Sequence, residues 1–205
     1  MAAKKAKKSA KKVAARKPAP KKKSAKKAKR AVKKSSPAKK SSTVTLGGNP
    51  VKTNGQLPKV GAKAPAFSMT TGTLSEIGPK ELRGKRVILN IFPSIDTPTC
   101  ATSTRKFNEF VSTLPNTEVW CVSADLPFAQ GRFCGAEGLS NVKTASSFRT
   151  NFGTAMGVTL TSGVLKGILA RAVVVLDEKG VVTHTELVPE IANEPNYEAA
   201  LKALR

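Results

Sequence analysis

The composition of this 205-residue chain changes abruptly at residue 42. Residues 1–42 consist of 19 Lys and Arg, 11 Ala, 6 Ser, 3 Pro, 2 Val and Met1, with no acidic residue, no Leu, no Ile and no aromatic. Such a segment cannot bury enough apolar surface to offset the entropy of ordering it, so it is expected to be a disordered basic tail. Whatever folds must be built from residues 43–205, which hold all eight Phe, Trp120 and Tyr197. Those 163 residues suit one domain around one core.

The same break redistributes the charge. Of the formal net charge of +23, the tail carries 19 units, and residues 43–205 hold 17 basic and 13 acidic groups, about +4. The charge therefore describes where the chain goes rather than what its domain does. Lysines such as Lys4, Lys5, Lys7, Lys8, Lys21, Lys22, Lys23, Lys26 and Lys27 are candidates for contacting nucleic-acid phosphates. Contacts of that kind release counterions, which makes binding salt-sensitive and blind to sequence. No aromatic is interleaved, so base stacking is not expected. In water, like charges three and four apart oppose helix, and Pro18, Pro20 and Pro37 add breaks. In composition, including Ser36-Pro37-Ala38-Lys39-Lys40, the tail resembles lysine-rich linker-histone tails and bacterial histone-like extensions. A solubilising tail and, in a eukaryotic source, a nuclear-import signal are the alternatives.

Several classes are disfavoured. No apolar run approaches the ~18 residues of a membrane span. No apolar segment near the N-terminus reads as a secretory signal, and a tail of 17 Lys to 2 Arg is unlike a transit peptide. Three cysteines (Cys100, Cys121 and Cys134) are too few for a secreted disulfide scaffold. The expected setting is cytoplasmic, nucleoid-associated through the tail, or nuclear in a eukaryote. His184 and three scattered cysteines make no spaced metal-ligand set, so neither metal nor cofactor is expected.

Within the domain, Thr43–Leu46 and Val51–Thr53 flank Gly47-Gly48-Asn49-Pro50 and read as a hairpin with a Gly-Asn turn. Ala64–Thr70 reads as a further strand. Three short apolar runs, Arg86–Phe92, Glu118–Ser123 and Arg171–Leu176, have the length and composition of strands buried on both faces. The last leads through Asp177–Gly180 into Val181–Leu187, a second hairpin. Phe107, Phe110, Val111 and Leu114 give one apolar face to a helix from Pro98 to about Leu114, and Tyr197–Leu204 is a terminal helix. Strands alternating with helices, then a hairpin and a helix, predict an α/β domain with a mixed sheet flanked by helices.

The most informative stretch is Pro93–Cys100, which joins a buried strand to an amphipathic helix. Thr97 suits the N-cap and Pro98 the first helical position. Cys100 then falls at the third position, where unpaired N–H groups and the positive end of the helix favour a thiolate. Thiolate is the form that attacks peroxide oxygen or disulfide sulfur. A buried cysteine acting as a small hydrophobe is the competing reading. No second cysteine stands at C-x-x-C spacing, so a thioredoxin-type dithiol is absent at this position.

Pro93-x-x-x-Thr97-x-x-Cys100 resembles the active-site signature of the peroxiredoxins. The wider run Asn90–Cys100, together with Ser123–Gln130, Arg132–Gly138 and Leu165–Val175, is similar to the bacterial thiol peroxidase subfamily, and the likeness spans about residues 43–205. The resemblance implies a thioredoxin-like fold and an atypical two-cysteine peroxidase, packed as a homodimer. Cys100 matches the peroxidatic cysteine and Cys134 the resolving cysteine, joined by an intrachain disulfide that thioredoxin reduces. Thr97 matches the hydroxyl that bonds thiolate and peroxide, Arg171 the active-site arginine, and Pro93 the residue that screens the thiolate from water. Hydrogen peroxide and organic hydroperoxides are the implied substrates.

Cys134 is expected on a short helix over Ala129–Gly135, on a different element from Cys100, and a disulfide needs Cα atoms within ~7 Å. Local unwinding during turnover follows, helped by Gly131, Gly135 and Gly138. Cys121, inside a predicted central strand, is expected to be buried and inert. Ser94 and Asp96 read as loop and capping groups, and His184 as a structural or exposed residue. Two other functions stay open: a nucleoid or chromatin DNA-binding protein, and a redox sensor using the same disulfide.

Overall fold

A computed structural model describes residues 40–204. The expected tail disorder and the phosphate-binding lysines from Lys4 to Lys27 lie outside the described residues. Two sheets form. The smaller is the hairpin β1 (Thr43–Leu46) and β2 (Asn49–Lys52). The larger has seven strands: β3 (Met69–Thr71), β4 (Glu76–Ile77), β5 (Arg86–Ile91), β6 (Thr117–Ser123), β7 (Lys143–Ser146), β8 (Ala172–Leu176) and β9 (Val182–Leu187). Their order is β4-β3-β7-β6-β5-β8-β9. β5, β6 and β7 run parallel, while β8 is antiparallel to β5. The mixed sheet expected from the sequence is therefore the one that forms.

The pleat sorts the core. Leu89 pairs with Trp120 on one side and Val174 on the other, and these join Ile91, Val122, Ala172 and Phe152 on one face. Ile88, Val119, Cys121, Val173 and Val175 point to the opposite face. Three helices cover that second face: α1 (Pro98–Val111), α2 (Pro127–Glu137) and α4 (Tyr197–Lys202). The short α3 (Phe152–Met156) and the hairpin pack on the first. Parallel strands joined by helices bury both faces, which is why β5 and β8 are near-continuous apolar runs. Fully burying a side chain such as Leu89 contributes about 2 kcal/mol.

Several boundaries differ from expectation. The first hairpin turns on Gly47-Gly48, not on Gly-Asn, because both residues sit at positive φ (58° and 79°). Pro50 lies inside β2, where an edge strand tolerates a missing N–H. Only Met69–Thr71 of the stretch 64–70 and its neighbour is strand. β4, β7 and α3 were too short or too polar to show a period. Helix α2 runs from Pro127 to Glu137, longer than expected, because Pro127 opens it and Gly138, in the left-handed region at φ 63°, closes it.

Candidate active site

Strand β5 ends beneath the sheet's C-terminal edge, where parallel α/β sheets commonly present their ligand sites. The chain then passes through Pro93 and the loop to Thr97 before entering α1. Pro98, Thr99 and Cys100 form its first three positions, as the spacing predicts. Among the described residues, no backbone carbonyl accepts from the N–H of Thr99 or Cys100. Both remain available at the positive end of a 14-residue helix.

Cys100 is fully buried. Thr97 occupies the N-cap position, but its side chain does not cap the helix. Its Oγ1 instead lies 2.7 Å from Cys100 Sγ and 3.1 Å from the Ser94 carbonyl. The hydroxyl has one hydrogen, so it donates either to the sulfur or to that carbonyl. In the second arrangement its lone pairs face the sulfur side. Arg171, just before β8, is only 2% exposed. Its Nη2 lies 3.3 Å from Cys100 Sγ, and its Nε donates to the Ile191 carbonyl at 2.8 Å. Among the described residues its buried Nη1 has no hydrogen-bond partner.

Thr97 and Arg171, with the buried Cys100 behind them, line a cavity of about 310 Å³. Its wall is largely apolar, with Leu46, Pro93, Pro98, Leu165, Ile168 and Ile191 around Thr97 and Arg171. Pro93 is buried. Leu46 comes from the hairpin, which is tied to the loop after β9 through Glu190. That carboxylate accepts from Thr45 Oγ1 (2.8 Å), Gly47 N (3.0 Å), Gly48 N (3.1 Å) and Ala192 N (3.2 Å). These donors, chiefly the Gly48 N–H, hold Glu190 down to about 2. A larger groove of about 930 Å³ lies between α1 and α4, around Phe110, Leu114 and Tyr197, and no cysteine lines it.

The structure thus brings Pro93, Thr97, Cys100 and Arg171 together and leaves Cys134 apart. Cys134 sits half-buried on α2, packed against the same apolar cluster as Cys100. All three cysteines are free thiols. Burial pushes the Cys134 thiol up. Cys121 is fully buried in β6 beneath them, with Asn90 Nδ2 3.6 Å from its sulfur, and burial pushes its thiol up to about 12. Neither Ser94 nor Asp96 reaches Cys100. Ser94 bonds Asp125, and Asp96 pairs with Arg132 on α2. Sequence reasoning missed Asp125 and the wall residues Leu46, Ile168 and Ile191. The only local signal for Asp125 was an acid two residues before the helix-opening Pro127.

The chain is similar to known proteins in sequence and in fold. The Redoxin family profile covers residues 59–201. A thiol peroxidase of Mycobacterium tuberculosis is 59% identical over 161 residues, covering 78% of this chain and 97% of that protein. A thiol peroxidase of Corynebacterium glutamicum is 52% identical over 157 residues, covering 77% and 95%. The crystal structure of a peroxiredoxin-like protein from Aquifex aeolicus superposes with a TM-score of 0.72 at 44% identity, covering 78% of this chain and 95% of that one. The fold is thus thioredoxin-like, of the peroxiredoxin kind. The chain belongs to the Redoxin family, as an enzyme of its peroxiredoxin, thiol peroxidase branch.

Proposed function

We propose that residues 43–205 form a peroxidase domain that reduces hydrogen peroxide and organic hydroperoxides through Cys100. One observation carries this reading: the buried Cys100 sulfur lies between Thr97 Oγ1 at 2.7 Å and Arg171 Nη2 at 3.3 Å, two residues that line a mostly apolar cavity. The Cys100 thiolate attacks one peroxide oxygen and the O–O bond breaks. Cys100 becomes a sulfenic acid, and the leaving oxygen takes a proton and departs as water or an alcohol. Negative charge grows on that oxygen, and donors already fixed in place stabilise it without reorganising. Arg171 and the Cys100 N–H are those donors. Thr97, with its hydrogen turned to Ser94, accepts from the peroxide O–H and orients the attacked oxygen. The apolar wall suits the carbon chain of an organic hydroperoxide.

Cys134 then condenses with the sulfenic acid, giving an intrachain disulfide and one water. Because Cys134 is half-buried on another helix, α2 or the first turn of α1 unwinds for this step. A thioredoxin-type dithiol reduces the disulfide. The domain acts as a homodimer in the cytoplasm, and the tail tethers it to nucleic acid by phosphate contacts.

Peroxide consumption coupled to thioredoxin and its reductase tests the chemistry. Activity is expected to vanish in Cys100→Ser. In Cys134→Ser, one round of Cys100 oxidation should persist while coupled turnover falls sharply. Full activity in Cys100→Ser would overturn the reading. For the tail, DNA binding should weaken steeply with salt and disappear when residues 1–42 are deleted; undiminished binding after deletion would place the contact on the domain.

A further inference from the structure

Asp125 joins the loop that carries Thr97 to the helix that carries Cys134. It lies between β6 and α2. Its Oδ1 accepts from Ser94 Oγ at 2.8 Å, and its Oδ2 accepts from the Ile95 N–H and from Ser123 Oγ, each at 2.7 Å. Ser94 passes this constraint on: its carbonyl accepts from the Thr97 N–H at 3.3 Å and from Thr97 Oγ1 at 3.1 Å, and Oγ1 lies against Cys100 Sγ. On the other side, Ser123 Oγ accepts from Gln130 Nε2 at 2.8 Å, and the same Nε2 reaches the Ala145 carbonyl at 2.9 Å. Gln130 is buried on α2, one helical turn before Cys134.

Helix α2 has little stability of its own. Its N-cap makes no side-chain bond, and its first turn has no acid and its last turn no base. Gly131 and Gly135 lie within it, each worth about 1 kcal/mol of lost helix stability relative to Ala. Its position therefore depends on ties to its surroundings. Two of these are exposed ion pairs, Arg105–Glu137 and Asp96–Arg132, a class that contributes little. Besides the burial of Phe133 and the Gln130 bond to Ala145, a further tie runs from Gln130 through Ser123 to Asp125, and it continues through Ser94 to Thr97 itself.

We propose that Asp125 is a positioning residue, a latch that holds the Thr97 loop and α2 in one arrangement. The same carboxylate then favours peroxide attack at Cys100 and opposes the unwinding that lets Cys134 reach it. This rests on the roles given above to Cys100 and Cys134. The consequence is a pair of opposite effects that simple destabilisation does not produce. Weakening the latch slows oxidation, because Thr97 is no longer held against the sulfur, and speeds disulfide formation, because α2 opens more readily.

The test uses the full reduced chain mixed rapidly with hydrogen peroxide. Quenched samples are analysed by mass spectrometry for sulfenic acid and for the Cys100–Cys134 disulfide. In Asp125→Asn, removal of one charged acceptor is expected to lower the oxidation rate constant about tenfold and to raise the disulfide rate constant several-fold. Ser94→Ala, which leaves Asp125 bonded to Ile95 and Ser123, should show the same opposed pattern more weakly and guards against misfolding of the first variant. Arg105→Ala loosens α2 alone, so it should raise only the disulfide rate. Unchanged rates in both latch variants, or both rates falling together, would overturn the latch and leave the Cys100 chemistry standing. A wild-type chain that forms no peroxide-dependent Cys100–Cys134 disulfide would overturn the latch together with the role given to Cys134.

Discussion

Arg171 Nη2 lies 3.3 Å from Cys100 Sγ while its Nε is held by the Ile191 carbonyl at 2.8 Å. The guanidinium is thus anchored through Nε and turned to the sulfur through Nη2. Arg171→Met should slow Cys100 oxidation about a hundredfold, since a buried donor to a charged partner is lost. Arg171→Lys should recover little of this, because an ammonium cannot span both partners. Stopped-flow oxidation by hydrogen peroxide measures both.

Thr97→Val keeps the shape at the N-cap but removes the hydroxyl at 2.7 Å from the sulfur. Because this side chain does not cap α1, thermal stability should change little. The oxidation rate constant should fall by about one to two orders of magnitude. Thr97→Ser should restore most of it. Parallel melting curves and oxidation kinetics separate the two effects.

Gly131 and Gly135 have open space where a Cβ would project. Replacing both with Ala should stabilise α2 by about 1 kcal/mol each. The expected outcome is slower disulfide formation with unchanged oxidation, and greater over-oxidation of Cys100 at high peroxide. Mass spectrometry of the sulfinic form reads this directly.

Cys121 gives an alkaline dependence. Burial raises its folded value from 9.0 to about 12. The folded state therefore keeps a proton that the unfolded chain releases first. The contribution is intact below about 9 and is lost as pH rises toward 12, at up to about 1.4 kcal/mol per pH unit for one group. Tyr197, raised by burial and by its bond to Glu194, adds in the same direction. Melting temperature should fall across this range less steeply in Cys121→Ala than in the wild type, and Cys121 should resist alkylation until the chain unfolds.

Glu190 gives the opposite, acidic dependence. Its folded value is lowered to about 2 from 4.5, so its grip on the hairpin is present above 4.5 and is lost as pH falls toward 2. The Ile191 N–H, which donates to Thr45 at 2.8 Å, should exchange faster in that range. Glu190→Gln should show faster exchange at neutral pH, and a KM that rises more for cumene hydroperoxide than for hydrogen peroxide, because Leu46 would no longer be held in the cavity wall.

The sequence by itself determined the elements whose signals are local. The apolar runs 86–92, 118–123 and 171–176 specify the buried strands, since strands covered on both faces need side chains apolar on both faces. The Thr97-Pro98 start puts Cys100 in the first helical turn because a proline, with its φ already fixed and no N–H to leave unpaired, suits the first helical position. Tertiary structure alone decided the rest. Arg171 meets Cys100 because β8 lies antiparallel beside β5, a register no local pattern encodes across 71 positions. The same holds for the hairpin tied by Glu190 to the cavity wall and for Asp125 reaching back to Ser94. Such contacts depend on where strand ends fall in space, and a polar residue's partner there is set by the sheet order rather than by its neighbours in the chain.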